Sequence, residues 1–269
     1  MKINHYSYSV SVVIPVYNSY KSAILAIDSV LTQTLQCKEI IIVDDGSIDG
    51  GALFIKQKYK HLASLVKVFS IENRGASFAR NFGISKANSD WIAFLDSDDM
   101  WLSNKLEKQL IELKKDPSIV LIGSLTNMQN FNLYLSLSKE NQCVVSLRTL
   151  LFKNYFQTST VVISRLILDE LGGFPEGRRY AEEGDLFMRI AAKYKCVLLN
   201  EVLVDYSGGK PGFGMTGLSA NLLEMEKGEL DNIIRVWTRN DAGMLLIGVA
   251  LIYSIIKFFR RVVIRSRRN

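Results

Sequence analysis

The segment WIAFLDSDDMW, residues 91–101, places three carboxylates directly after an apolar run. Asp96, Asp98 and Asp99 would be costly to bury without partners, so such a cluster normally lies where a metal ion or hydrogen-bond donors can neutralise it. The run before them has the composition of a buried β-strand, which would put the acids at the solvent end of that strand. The cluster therefore indicates a site where a metal ion or hydrogen-bond donors neutralise the acids, with a polar turn as the plain alternative.

Two further acidic groups occur in comparable settings. Asp44 and Asp45 end the apolar run KEIIIVDD, and the segment AEEGD supplies Glu182, Glu183 and Asp185 just before an apolar helix pattern. One acidic residue at a helix N-terminus is ordinary because it interacts favourably with the helix dipole, but three within four residues exceed that need. These positions are candidate binding or acid–base residues.

Four apolar, β-branched runs must position the acids. The runs are residues 9–17, 38–45, 65–73 and 90–96, and the segments between them place apolar residues at helical spacing. Strands that alternate with helices predict an α/β fold with a mostly parallel central sheet and flanking helices. In such a sheet ligands bind at the carboxyl ends of the strands, where both aspartate groups fall.

Composition limits the class of protein. At 269 residues the chain is long enough for one large domain, or for one domain with a tail. Its three cysteines lack metal-ligand spacing and its two histidines lie outside every motif, so a histidine metal site is not expected. The first residues carry no signal-peptide pattern, which predicts a reducing, cytosolic location. No GxGxxG follows the first run, which argues against a dinucleotide-dependent oxidoreductase.

Four segments, taken in order, resemble glycosyltransferase family 2, whose members have the GT-A fold. The segments are VSVVIPVYNS, IIIVDDGSIDG, NRGASFARNFGISKANSDWIAFLDSDDMW and AEEGDLFMRIA. The resemblance covers residues 1–110 and returns at about residues 171–195. It implies an enzyme of the hexosyl- or N-acetylhexosaminyltransferase class that moves a sugar with inversion from a nucleotide diphosphate donor to an acceptor hydroxyl, with Mn²⁺ or Mg²⁺ as cofactor.

The resemblance assigns roles at the diphosphate side of the donor. Asp98 is expected to bind the cation, because a hard cation that bridges both phosphates neutralises the leaving nucleotide. Asp96 would accept a ribose hydroxyl or hold the metal, directly or through a water molecule, and Asp99 would act behind them. Arg80 is expected near the donor, although an arginine on a helix is often a surface residue.

The resemblance also places a nucleotide-binding surface at the ends of the first two strands. Pro15 and Tyr17 would form an apolar wall for the base, and Asp44 and Asp45 would accept hydrogen bonds from the base or the ribose. An acceptor at Asp44 suits uracil or thymine, whose N3–H is a donor, so the donor is expected to be a UDP or dTDP sugar. A glycine-rich segment, residues 206–217, is expected to form a loop over the site.

The acidic segment before the last helix pattern is expected to supply the general base. Members of the family draw this base from a Glu-Asp pair, whereas AEEGD has Glu183 at the second position and Glu182 before it. Glu183 is the expected base, with Glu182 as the alternative. The departure from the family pattern leaves a second function open, in which the protein binds a nucleotide sugar as a non-catalytic scaffold of a glycan-assembly complex.

The C-terminal segment predicts contact with a membrane surface. An uncharged run from Ala242 to Ile256 is 15 residues long, shorter than the roughly 20 residues that span a bilayer. Six basic and no acidic residues follow from Lys257 onward and account for the whole net charge of +6, so no nucleic-acid partner is expected. The helix is expected to lie on the cytoplasmic face of the inner membrane, although it could instead pack against the domain or a partner subunit.

These observations divide the chain into a GT-A domain, residues 1–240, and an apolar and then basic tail, residues 241–269. The nucleotide-binding half of the domain would cover about residues 1–110 and the acceptor and base half about residues 111–240. Family members with such tails often glycosylate lipid-linked precursors of surface polysaccharides. The expected acceptor is therefore a lipid-linked glycan.

Overall fold

The computed structural model describes residues 8–129, 141–206 and 221–266. Its strands are β1 (Val10–Val16), β2 (Glu39–Asp45), β3 (Val66–Ile71), β4 (Trp91–Phe94), β5 (Met100–Trp101), β6 (Ile119–Thr126), β7 (Gln142–Val144), β8 (Val162–Ser164) and β9 (Lys195–Asp205). Its α-helices are α1 (Tyr20–Leu31), α2 (Gly51–Lys58), α3 (Ala76–Lys86), α4 (Lys105–Lys115), α5 (Leu147–Phe152), α6 (Arg165–Leu171), α7 (Glu182–Lys193), α8 (Leu222–Thr238) and α9 (Met244–Ser266). All four apolar runs that the sequence predicts as strands are strands.

The strands form one nine-stranded sheet in the order β3-β2-β1-β4-β8-β6-β9-β5, with β7 paired to β9. Strands β3, β2, β1 and β4 are parallel, and so are β6 and β9. Strand β8 runs antiparallel to β4 and β6, and strands β5 and β7 run antiparallel to β9. The parallel sheet predicted from the first half of the chain is present there, and the sheet becomes mixed beyond β4.

Helices cover both faces of the sheet, which is why its strands are apolar on both sides. Ile41 of β2 belongs to the core that α3, α5 and α7 complete, whereas the next residue, Ile42, belongs to the core formed with α1 and α4. Gly83 lets α3 approach β1 closely, because a Cβ atom there would come within 2.4 Å of the Val13 side chain. The helix that carries Arg80 is thereby fixed against the sheet.

The order of the strands reverses between β1 and β4, because β2 and β3 lie on one side of β1 and β4 lies on the other. Such a switch point opens a crevice at the carboxyl ends of the strands. Tyr17 follows β1 directly, Asp45 is the last residue of β2, and Asp96 lies just beyond β4. The acids that the sequence places at strand ends therefore meet at one edge of the sheet.

Helices α8 and α9 pack against each other at the C-terminal end. Lys257 of α9 forms an ion pair with Glu229 of α8 at 2.6 Å, and Ile247 and Ala250 of α9 are buried in the core. The predicted boundary at residue 240 falls in the turn between the two helices. The division into a domain and a tail stays a prediction.

The other side of α9 is exposed and apolar. Leu245, Ile252, Ile256 and Phe259 have between 61% and 85% of their surface accessible. Among the residues that the structure describes, no helix combines the length and the apolar character needed to cross a bilayer.

Candidate active site

The three aspartates after β4 lie in different environments. The Asp99 amide donates to the Asp96 carbonyl at 3.1 Å, so the segment is a turn as well as a cluster of acids. Asp98 is exposed at the tip of the turn, and the Asp96 side chain is 31% exposed. Asp99 is buried and accepts a hydrogen bond from the Ser159 hydroxyl, which fixes the turn from below. Asp96 and Asp98 are therefore the accessible acids of the cluster, and the buried Asp99 supports the turn that carries them.

Arg80 is buried between two acidic segments rather than on the surface. Its Nη2 donates to Asp96 Oδ1 at 2.7 Å, and its Nη1 donates to Glu182 Oε1 at 3.2 Å. Burial alone would lower the pKa of Arg80, but the carboxylates of Asp96 and Glu182 more than offset this and raise it. The guanidinium is therefore charged at every accessible pH. The alternative of a surface arginine is wrong, whereas contact with a donor stays a prediction.

The two candidate bases at the start of α7 have different surroundings. Glu182 is buried and paired with Arg80. Glu183 is half-buried, and no other residue in the described part of the chain forms an ion pair or a hydrogen bond with its carboxylate. Burial and the adjacent Glu182 raise the pKa of Glu183 to about 7. Of the two, Glu183 has the protonation behaviour of a general base.

Asp185, the third acid of the segment, is hydrogen-bonded to two arginines. It accepts hydrogen bonds from Arg189 Nε at 2.8 Å and from Arg239 Nη1 at 2.9 Å. Burial would raise the pKa of Asp185, but these two guanidinium groups lower it below the ordinary range. Asp185 therefore ties α7 to the end of α8 and is a structural residue.

The predicted nucleotide surface is divided between exposed and buried groups. Pro15 is partly buried within β1, and Tyr17 is 53% exposed beside the crevice. Asp44 is buried and accepts a hydrogen bond from the Ser47 amide at 3.2 Å.

Asp45 accepts hydrogen bonds through both of its oxygens, from the Arg74 and Gly75 amides at 2.8 Å each. It therefore fixes the loop that leads into α3. Asp44 accepts fewer hydrogen bonds from the described residues and is the better placed of the two to accept from a ligand. Nucleotide binding by Pro15, Tyr17, Asp44 and Asp45 stays a prediction.

Tyr206 belongs to the site and was not predicted. Burial and the carboxylates of Asp99, Asp96, Asp98 and Glu183 raise the pKa of Tyr206 to about 12. The phenol therefore lies in the field of both acidic segments. Its position directly after β9 was the available signal, since the strand ends there and a glycine-rich segment follows. The rest of the predicted loop, residues 207–217, lies outside the described residues.

The residues present fit a cation that is shared with a substrate. Within the described ranges, no group of three or more His, Cys, Asp or Glu side chains is arranged to hold a metal ion by itself. A cation bound to a nucleoside diphosphate needs only one or two protein carboxylates, because phosphate oxygens complete its coordination. Asp98 and Asp96 could supply these carboxylates, and their negative charges add to burial in raising the pKa of Tyr206.

The parallel β3-β2-β1-β4 segment, the mixed second half of the sheet and the acid cluster at the switch point have the arrangement of the GT-A fold. Two solved structures share this fold. The first is S. aureus TarS 1-349 in complex with UDP-GlcNAc, with a TM-score of 0.65 and 22% identity over 97% of this chain and 74% of TarS. The second is the mannosyltransferase PcManGT of Pyrobaculum calidifontis in complex with GDP-Man and Mn²⁺, with a TM-score of 0.71 and 16% identity over 97% of this chain and 75% of PcManGT.

The chain belongs to glycosyl transferase family 2, whose family model matches residues 11–174. It is 31% identical over 211 residues to the glycosyltransferase GlyG of Streptococcus pneumoniae serotype 4. The aligned residues cover 73% of this chain and 70% of GlyG. The chain spans a smaller part of another relative, 26% of an uncharacterized glycosyltransferase of Rickettsia bellii.

Proposed function

We propose that this protein is an inverting glycosyltransferase that moves a sugar from a nucleotide diphosphate sugar to a hydroxyl of a lipid-linked glycan in the synthesis of a surface polysaccharide. One observation carries the proposal. The Glu183 carboxylate is half-buried beside the acid cluster, lacks an ion-pair partner among the described residues, and has a pKa of about 7. A carboxylate that titrates near neutral pH is suited to general-base catalysis.

Glu183 takes the proton of the acceptor hydroxyl as the hydroxyl oxygen attacks the anomeric carbon. The bond between this carbon and the diphosphate oxygen breaks, and the nucleoside diphosphate leaves with the bonding electrons. A single displacement of this kind inverts the configuration of the sugar, so it needs one base and no covalent intermediate.

The acid cluster after β4 would hold a divalent cation through Asp98, with Asp96 as the second ligand. When bound, the cation would neutralise the negative charge that develops on the leaving diphosphate. The complex of PcManGT with GDP-Man and Mn²⁺ supports this for a protein of the same fold.

Arg80 would fix the position of the acid cluster after β4 relative to the first turn of α7. It holds Asp96 on one side and Glu182 on the other, at 2.7 and 3.2 Å. The donor side and the base side of the reaction are therefore fixed to a single guanidinium group.

Asp44 would accept a hydrogen bond from the nucleotide base, and Tyr17 would pack against the base. This pairing suits uracil or thymine, and the UDP-GlcNAc bound to TarS, a protein of the same fold, supports a UDP sugar. The sugar that is transferred from this donor would be a hexose or an N-acetylhexosamine.

Helix α9 would place the enzyme on the cytoplasmic face of the inner membrane, where a lipid-linked acceptor is found. At 3.6 residues per turn, its exposed apolar side chains cover roughly half of the helix circumference. A coiled-coil seam is narrower than this, which favours a lipid surface over a second copy of the chain. The exposed Arg260 lies on this side and would contact lipid phosphates.

Incubation of the purified protein with Mn²⁺ and a panel of UDP, dTDP and GDP sugars tests the function. Slow release of free nucleotide, accelerated by a lipid-linked acceptor, is the expected result. Tight donor binding without release, even with membranes added, would instead support a non-catalytic scaffold. The raised pKa of Glu183 favours the enzyme, because a scaffold has no use for a carboxylate that titrates near neutral pH.

A further inference from the structure

The peptide that leads into α7 is strained. Ala181, the residue before Glu182, has a left-handed backbone with φ of 53°, and no side chain caps the helix there. This conformation is unfavourable for a non-glycine residue and persists only where the surroundings enforce it. The direction in which Glu182 and Glu183 leave the backbone depends on this peptide.

One buried side chain from α8 holds the strained peptide. Asn232 is 2% exposed, and its Nδ2 donates to the Ala181 carbonyl at 2.8 Å. Its Oδ1 accepts from Arg178 Nη1 at 2.7 Å, and Arg178 Nη2 donates to the Gly228 carbonyl at 3.1 Å. Asn232 therefore links α8 to the chain on both sides of residues 179–180.

Two glycines show how closely α8 fits this segment. A Cβ atom at Gly228 would come within 2.7 Å of the Tyr180 carbonyl, and a Cβ atom at Gly184 would come within 2.7 Å of Asn232 Nδ2. Any larger side chain at position 184 would therefore displace the Asn232 amide from the Ala181 carbonyl.

Helix α8 is itself held from its other side. Glu226 is buried, and it accepts hydrogen bonds from Ser254 Oγ at 2.8 Å and from Arg261 of α9. The contacts with α9 are thus separate from the contacts of Asn232, although both belong to one helix.

We infer that Asn232 is a positioning residue for Glu183, which holds the Ala181 peptide so that the first turn of α7 presents Glu183 to the acceptor. The inference rests on the proposed role of Glu183 as the base. Asn232 does not touch the reacting atoms, so it acts only through the geometry and the burial of Glu183.

The titratable and charged groups around Glu183 come from four different parts of the chain. They are Glu182 on α7, Arg80 on α3, Asp96 after β4 and Tyr206 after β9. None of these groups is altered by a substitution at Asn232. A change in the titration of Glu183 would therefore report a change in its position or burial.

Asn232→Leu and Gly184→Ala test the inference from opposite directions. The first removes the amide, and the second displaces it while raising helix propensity. Both are expected to lower kcat at pH 8 by about 10-fold or more, with the donor KM within twofold, because a small misplacement of a base is costly. The acidic limb of the pH profile is expected to move from about 7 toward the ordinary glutamate range, since a loosened first turn admits water.

Glu226→Gln is the matched control, because it changes a buried polar group of α8 whose partners lie on α9. It is expected to leave both kcat and the limb unchanged. A loss of kcat without movement of the limb in the two test variants, or no loss at all, would overturn the inference.

Titration of the Glu183 carboxyl by ¹³C NMR, without substrate, separates this inference from the proposed function. If the wild-type protein turns over no donor, the proposed function fails. A Glu183 midpoint that falls in Asn232→Leu and Gly184→Ala would still show that Asn232 sets the environment of Glu183. An identical midpoint in all three proteins would refute it.

Discussion

Arg80 and Asp96 form an ion pair with a distance of 2.7 Å between the Arg80 Nη2 and Asp96 Oδ1 atoms. Arg80 lies on helix α3, which follows β3, whereas Asp96 lies in the turn that follows β4. The arginine side chain is 7% exposed and the aspartate side chain 31%, so the guanidinium is the end of the pair that is largely removed from water. Breaking such a pair from one side leaves a buried charge without compensation, which costs much more than the loss of a surface pair. This relationship makes Arg80 a structural residue, in addition to the role in the reaction that is proposed for it.

Arg80→Met is expected to destabilise the protein by about 3–5 kcal/mol, because the Glu182 carboxylate would stay buried without its partner. Urea unfolding at pH 7.5 measures the change. The matched control is Arg74→Met in the loop before α3, since Arg74 is 55% exposed and pairs with Glu176 at 3.5 Å. The control is expected to cost under about 1 kcal/mol. Equal costs for the two variants would contradict the buried ion-pair network.

Glu183→Gln keeps the size and hydrogen bonding of the side chain but removes its basicity. Turnover should fall by roughly 10² to 10⁴, the range that general-base catalysis supplies, while donor affinity should barely change. Kinetic measurement with a fixed donor and acceptor tests this. In the unaltered enzyme, kcat should rise with pH through about 7, because the base acts in its deprotonated form.

Glu182→Gln separates the two candidate bases. This variant should retain most of the activity. The acidic limb of its kcat–pH profile should move to lower pH, because the Glu182 charge helps to raise the pKa of Glu183. A large loss in Glu182→Gln together with normal turnover in Glu183→Gln would reassign the base. Glu183→Asp restores the acid of the family pattern, and retained activity would show that the site tolerates the shorter side chain.

The raised pKa of Glu183 also predicts an effect on stability. Between the ordinary glutamate pKa and about 7, the folded state binds more protons at this group than the unfolded state, so its contribution to stability falls as pH rises. Glu183→Gln should therefore be more stable than the wild type at pH 8 by about 1–3 kcal/mol, and about equal at pH 4. Urea unfolding at both pH values measures this.

Asp185→Asn is the control of opposite sign. The pKa of Asp185 is lowered by Arg189 and Arg239, so its charge contributes stability above the ordinary aspartate pKa that is lost as pH falls. The substitution should destabilise the protein at pH 8. A gain in stability from both variants would contradict the assigned electrostatics.

The sequence predicted strands β1 to β4 and the acidic segments, because each of these signals is local. The apolar run before Asp96 and Asp98 indicates a β-strand, and the acids mark the carboxyl end of that strand. Parallel strands align these ends at one edge of the sheet, so no further information is needed to bring the acids together. The burial of Arg80 could not be predicted, since its partners lie 16 and 102 positions away. Asn232 was missed for the same reason, because it stands in no motif and acts through contacts between distant elements. Tyr206 was indicated only as part of the glycine-rich segment.

Asp98→Ala is expected to abolish transfer and the cation-dependent part of donor binding, because the exposed carboxylate is the expected ligand of a shared cation. Calorimetric titration with UDP in the presence and absence of Mn²⁺ measures this without turnover. Asp169→Ala removes another exposed aspartate, whose ion pair within the described ranges is with Arg165 at 3.6 Å, and this variant should behave like the wild type. Full activity of Asp98→Ala in the presence of chelator would refute a metal role.

Contact with the membrane is best tested on the exposed side of α9 rather than by deletion, because deletion would also expose Ile247 and leave Glu226 buried without Arg261. Replacement of Ile252, Ile256 and Phe259 by Gln preserves those inward contacts.

The triple variant should lose at least 10-fold in its binding to phosphatidylglycerol vesicles by sedimentation, since each apolar side chain contributes about 1.5–3 kcal/mol when buried. High salt should weaken wild-type binding, because basic residues of α9 are proposed to contact the lipid phosphates. The matched control replaces Leu25, Leu53 and Leu166, which are 55%, 63% and 60% exposed elsewhere on the surface, by Gln. This control should bind vesicles like the wild type. If the wild type instead forms a dimer that the α9 variant dissociates, and neither protein binds vesicles, the apolar side of α9 is an interface between two copies of the chain and the membrane proposal is wrong.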